Sequence, residues 1–235
     1  MNYPLFFVAV LFVLADWFLL FLPSKDNRLI IFIEKIFRFA AYLTLLLWMF
    51  FHTLQHNDLE IFMISMSIWI FSLSLPLFSK SFIYQILSKI ILVIAYFSFG
   101  LGLLQHRIPS MNLPLIIICI FITFTSSQIL VLLSNKTKSS LANNFSNFIL
   151  FFGICISIFL FITLSTGTQG VAWRDRTALL IGLGGTFTYI SEVIFAWDIF
   201  ITPTNKGKAF YILFSSASIF CLTLGVITRA VLIIL

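Results

Sequence analysis

The sequence predicts an all-α fold: a polytopic integral membrane bundle of eight transmembrane helices joined by short loops. Of its 235 residues, 61% are hydrophobic and only 9% are charged, where soluble chains carry roughly 25% charged residues. The mean hydropathy is +1.12. The apolar residues also fall into eight runs of about 20, the length a helix needs to cross hydrocarbon. No intervening polar stretch is long enough to bury a core of its own, so 1–235 is expected to be a single membrane domain.

The first span, 3–23, carries Asp16 and has no basic segment before it, which makes it a retained helix rather than a cleaved leader. After the polar turn Ser24-Lys25-Asp26-Asn27-Arg28, the second covers 29–51 and holds Glu34, Lys35 and Arg38 in its first half. Spans three to six cover 61–78, 82–105, 113–133 and 145–164, and across spans four to six the one prominent charge is Lys89. The seventh, 178–200, contains Glu192 and Asp198, and the eighth, 209–235, has Arg229 near its end.

Loops after the odd spans contain Lys25, Arg28, Lys80, Lys136, Lys138, Lys206 and Lys208, while the others contain Arg107, Arg174 and Arg176. Cations concentrate on the cytoplasmic side, so the odd loops are expected inside and both termini outside, in a cell-membrane protein. Scattered cations of this kind mark topology rather than a nucleic-acid surface. Asp16, Glu34, Lys35, Arg38 and Asp198 then fall in the cytoplasmic half, with Glu192 about 9 Å deeper than Asp198 at 1.5 Å per residue.

An ionisable group at lipid depth is unfavourable and therefore a candidate functional site. Glu192 must be protonated, paired with a cation or in contact with water. It is either a hydrogen-bonded packing group or an acid that delivers a proton to a ligand. Residues three and four apart share a helix face, so Thr188, Tyr189 and Glu192 lie on one stripe and Asp198 about 120° away. Asp198 is either interfacial, near Lys206 or Lys208, or a helper carboxylate. Glu34 and Arg38, at i and i+4, make a local ion pair. Lys35 points about 100° away and either snorkels or turns inward. Asp16 needs a partner, for which Lys35 and Arg38 are in topological reach.

Other motifs carry less. Cys119, Cys155 and Cys221 sit in apolar runs and read as small core residues. His52, His56 and His106 are placed in loops, and His-x-x-x-His without further ligands does not make a metal site, so no metal or cofactor is expected. Gly182, Gly184 and Gly185 have no strand before them and no Lys-Ser/Thr after them; close packing or a bend explains them better than a nucleotide loop. Serine- and zinc-hydrolase signatures are absent from the sequence.

Eight short-looped spans, a Lys near the start of span two, and the Ser191-Glu192 pair followed by a loop and an aromatic, Ser-rich last span through Gly225 resemble the YhhN-like lysoplasmalogenase family. Lys35 matches that family's Lys-Pro, with Ile36 in place of the proline. The resemblance implies cleavage of the vinyl-ether bond of a lysoplasmalogen, a membrane lysophospholipid. That chemistry needs an acid to protonate the enol ether and a second carboxylate to steady the cation or activate water. It implies Glu192 as the acid, Asp198 or Asp16 as the second carboxylate, and Lys35, Arg38, Ser191 and Tyr189 around the substrate. Span three departs from the family: Phe71-Ser72-Leu73-Ser74-Leu75-Pro76 stands where the family has Gly-Asp. Either another helix supplies that carboxylate, or the chain keeps the fold as a non-catalytic lipid-binding protein, transporter or membrane subunit.

Overall fold

The computed structural model describes residues 3–21, 28–78, 82–105, 113–136, 140–168, 175–200 and 206–232. They form α1 (Tyr3–Phe21), α2 (Arg28–Thr53), α3 (Glu60–Phe78), α4 (Phe82–Gln105), α5 (Leu113–Lys136), α6 (Ser140–Ser165), α7 (Asp175–Phe200) and α8 (Gly207–Leu232), with 3-10 turns at Asn57–Leu59 and Thr166–Thr168. No strand occurs among the described residues. Each expected span lies on one helix. The largest difference in start is at α6, which begins at Ser140 instead of 145. Its polar first turns carry helical backbone without the apolar side chains that the hydropathy pattern detects. Lys25, Lys80, His106, Arg107, Lys138 and Arg174 lie outside the described residues.

Among the described residues, five helical stretches are long and apolar enough to cross a membrane: Pro4–Phe21, Asn57–Pro76, Ile83–Gln105, Arg176–Ile199 and Gly207–Val231. The described apolar stretches of α5 and α6, Leu113–Ile122 and Leu150–Ser165, are shorter. The architecture is all-α and compatible with a multi-pass membrane protein.

The distribution of side chains follows from that solvent. On α1, Phe7, Leu11, Leu14 and Phe18 are exposed while Ala9, Val13, Asp16 and Leu20 are buried. On α4, Ile83, Leu87, Ile90, Ile94 and Phe97 face out while Lys89, Leu92, Tyr96 and Phe99 are buried. Both sets repeat every three to four residues, so each helix has two distinct faces. Large apolar side chains turned outward, with ionisable ones inward, suit hydrocarbon rather than water.

The chain divides into two compact units, Met1–Phe99 with Val226–Leu235, and Gly100–Gly225. In the first, α1 and α2 form an antiparallel pair closed by Phe12–Phe37 and Phe6–Trp48 ring contacts, with centroids 5.9 and 4.9 Å apart. α3 and α4 pair through Phe62–Phe99 and Trp69–Tyr96, at 5.0 and 4.8 Å. Edge-on ring pairs of this kind contribute about 0.5–1.5 kcal/mol beyond burial. Ser72 Oγ donates to the Ser88 carbonyl at 2.6 Å near the other end of the same pair.

In the second unit, α5, α6 and α7 pack together, and small residues set how closely α7 approaches its neighbours. A Cβ on Gly184 would come within 2.6 Å of Leu222 on α8, and one on Gly225 within 2.8 Å of Ile181 on α7. A Cβ on Gly185 would overlap the Thr163 side chain on α6. The glycines are therefore sites of close helix approach, as in small-residue membrane packing.

Candidate functional site

α7 presents a buried stripe at helical spacing: Thr177 and Ala178, Ile181, Gly184 and Gly185, Thr188, then Ser191 and Glu192. The sequence builds this face from small and hydroxylated residues. It lets neighbouring helices come close and leaves the one long polar side chain, Glu192, pointing inward. Glu192 is 2% exposed and sits roughly 10 Å inside the end of the apolar stretch Arg176–Ile199.

Hydroxyl groups tie this face to α8. Thr188 Oγ1 donates to the Gly184 carbonyl at 2.9 Å, Ser218 Oγ reaches the same carbonyl at 2.8 Å, and the two hydroxyls lie 2.5 Å apart. Ring contacts at Phe195–Tyr211, 5.5 Å, and the close approach of Ile181 to Gly225 bracket this junction in antiparallel register. One turn along from Thr188 and Ser218, that register brings Glu192 level with buried Ser215. Ser215 Oγ and Ser216 Oγ donate to the Ile212 carbonyl, and Ser191 Oγ to the Thr188 carbonyl at 2.8 Å. Each hydroxyl spends its proton on the backbone and keeps lone pairs, so this zone offers acceptors more readily than donors.

The other expected site residues on α7 separate. Asp198 is half-buried and stands nearly two turns beyond Glu192 on the continuous helix, around 120° away in rotation. Tyr189 is half-buried and donates its phenol to the Ile122 carbonyl on α5 at 3.3 Å, which places it at the α5–α7 contact. Ser191 lies on the Glu192 face.

The first unit holds a second polar centre. Arg38 grips Asp16 with two bonds, Nε to Oδ2 and Nη2 to Oδ1, both 3.0 Å, and reaches Glu34 Oε1 through Nη2 at 2.6 Å. All three side chains are more than nine-tenths buried. Glu34 and Arg38 meet because they are one turn apart on α2. Asp16 joins them because α1 turns its buried face, Ala9-Val13-Asp16-Leu20, to α2. Of the two partners in reach of Asp16, Arg38 takes it in the planar two-bond geometry a guanidinium favours. Lys35 is part-buried beside this cluster.

Two features were not expected from sequence. Lys89, 2% exposed, lies on the inward face of α4 beside Ser88, so its charge belongs to the interior of this unit. The period Lys89-Leu92-Tyr96-Phe99, read against the outward positions Leu87, Ile90 and Ile94, was the available signal. His52 is not in a loop but within α2. Its Nδ1 donates to the Trp48 carbonyl at 2.9 Å, and Thr53 Oγ1 bonds the Met49 carbonyl at 3.0 Å. Those back-bonds carry the helix past the predicted end at 51. No group of three or more His, Cys, Asp or Glu suited to a metal ion occurs among the described residues.

Among the described residues, these features define a chain of apolar helices with buried polar groups, those richest in carboxylates and hydroxyls lying on α7–α8 and on α1–α2. Chemically, the first offers a buried carboxyl group beside several hydroxyls. The second offers a guanidinium held rigid by two carboxylates. No protein-family model, curated protein or solved structure matches the chain.

Proposed function

We propose that the chain is a YhhN-like, eight-span protein of the cell membrane that takes up a single-chain lipid, with Glu192 as the group that acts on the ligand's polar end. The observation that carries this is the burial of Glu192 on an otherwise small, hydroxyl-lined face of α7. The reaction implied by the resemblance is hydrolysis of a lysoplasmalogen vinyl ether. Glu192 would protonate the enol-ether carbon, water would add to the resulting oxocarbenium ion and return a proton to Glu192, and the hemiacetal would break its C–O bond to the glycerol to give a fatty aldehyde and a glycerophospho-base.

A second reading has specific support: lipid binding or transport without cleavage. α3 has no acidic residue beyond Glu60 at its first position. Asp16 is engaged by Arg38, and Asp198 is turned away from Glu192 on their shared helix. Paired-carboxylate hydrolysis needs two carboxyl groups within roughly 5–10 Å on opposite sides of the scissile bond. Within the second unit Asp198 would have to serve, from nearly two turns away.

One experiment separates them. The purified protein is incubated with a vinyl-ether lysolipid, and fatty aldehyde is measured beside the Glu192→Gln variant. Hydrolysis predicts aldehyde release that falls by about 10²–10⁴ in the variant, the range for loss of a general acid. Intact lipid with wild-type protein that nevertheless retains the lipid through purification leaves the binding reading standing and removes the enzyme.

A further inference from the structure

Trp48 is buried on α2, and its indole N–H has no hydrogen-bond partner among the described residues. The ring is fixed by two neighbours. Phe6 of α1 tilts against it with centroids 4.9 Å apart, and His52, one turn along α2, meets it edge-on at 5.2 Å. A buried donor without an acceptor forfeits the hydrogen bond it had in water, and buried indoles ordinarily find a partner.

His52 has the lone pair that this donor lacks. Its one hydrogen bond among the described residues runs from Nδ1 to the Trp48 carbonyl at 2.9 Å. A carbonyl oxygen can only accept, so Nδ1 carries the proton and, in the neutral imidazole, Nε2 keeps its lone pair. The two residues therefore offer one donor, Trp48 Nε1, and one acceptor, His52 Nε2. They do not bond each other directly, and their rings cross at 70°. A water molecule accepts and donates at about 2.9 Å, and so links two nitrogens about 5 Å apart, the scale of this ring separation. The pair is neutral, and it matches a group that both accepts and donates, which is a hydroxyl, better than an ion.

We propose that Trp48 and His52 form a binding site for a single hydroxyl group, filled by an internal water that accepts from Trp48 Nε1 and donates to His52 Nε2. The hydrogen bonds then close on themselves: indole N–H to water, water to imidazole, and imidazole N–H back to the Trp48 carbonyl. Each bond in such a chain polarises the next, and the water holds His52 in the tautomer that the carbonyl requires. The site lies within the first unit and is independent of Glu192 and of the lipid reading above.

The test is nuclear magnetic resonance on the purified full chain in neutral detergent, with heavy nitrogen in its Trp and His residues. Trp48→Phe removes one of five indole signals and so assigns the Trp48 N–H. In the wild type this proton is expected downfield, at a hydrogen-bonded position, with a dipolar cross-peak to water. His52 is expected to carry its proton on Nδ1 with Nε2 bare. A wild-type indole proton without a water cross-peak, or a His52 protonated on Nε2 alone, overturns the proposal, and both are read without any His52 variant. His52→Phe and His52→Leu remove the acceptor and keep an apolar filling. In each, the cross-peak is expected to disappear and the indole proton to move upfield; a cross-peak unchanged in either folded variant overturns the proposal. Dodecanol added to the wild type separates two sources of a hydroxyl. An unchanged water cross-peak is expected, and its replacement by a cross-peak to the alcohol overturns water as the occupant in favour of a ligand hydroxyl.

Discussion

Arg38 is shared by two carboxylates from two helices, so none of the three residues can be judged alone. Removing the cation leaves Asp16 and Glu34 buried side by side with nothing between them. Breaking a buried ion pair from one side costs about 3–5 kcal/mol, whereas neutralising all partners together is often close to neutral. Arg38→Met is therefore expected to lower the unfolding midpoint in detergent sharply. Asp16→Asn with Glu34→Gln in the same background should recover most of it, which tryptophan fluorescence would follow. Half of this cluster was legible in the sequence, because Glu34 and Arg38 are spaced by one helical turn. That Asp16 needs a cation, with Lys35 and Arg38 in reach, was legible too; the choice of Arg38 was not, since it depends on how α1 is rotated against α2, and spacing within one helix carries no information about that. Glu192 was legible as a buried acid from composition alone, but its level with Ser215 required the α7–α8 register.

The helices differ in how much their own residues dictate. The apolar runs define α1, α3, α4, α7 and α8 to within a few residues, because hydrophobic length and helix length coincide there. They fail at α6, where Asn and Ser continue the helix outside the apolar stretch, and at the end of α2, where His52 and Thr53 bond backward. The glycines of α7 were legible as packing positions, and the structure grades them. A methyl group at Gly182 would meet Leu164 at 3.6 Å, an ordinary contact. Gly182→Ala should thus be neutral or stabilise by up to about 1 kcal/mol through helix propensity. Gly185→Ala instead drives a Cβ into Thr163, and overpacking of this kind costs about 1–3 kcal/mol. Thermal unfolding of the two variants in one detergent should move in different directions, and equal losses would contradict the close α6–α7 approach.

At the scale of the molecule, α2 decides how many helices cross. Among the described residues, five stretches satisfy length and hydropathy, and α2 is not one of them. Yet α2 follows α1 for most of its length, from Phe6–Trp48 near one end to Asp16–Arg38 near the other. A helix paired in this way to α1, with Phe32, Phe39, Leu43 and Leu47 turned outward, has an outer face suited to hydrocarbon. If α2 crosses, position 25 and position 57 lie on opposite sides of the membrane; if it does not, they share a side. Single cysteines can report this after Cys119, Cys155 and Cys221 are replaced by alanine. Under the eight-span arrangement with odd loops inside, Lys25→Cys, Lys80→Cys and Lys206→Cys should react with an impermeant maleimide only in inverted vesicles. Asn57→Cys and Arg107→Cys should react only in intact cells. Labelling of positions 25 and 57 from the same side would remove α2 from the membrane, and with it the lipid-depth placement of Arg38.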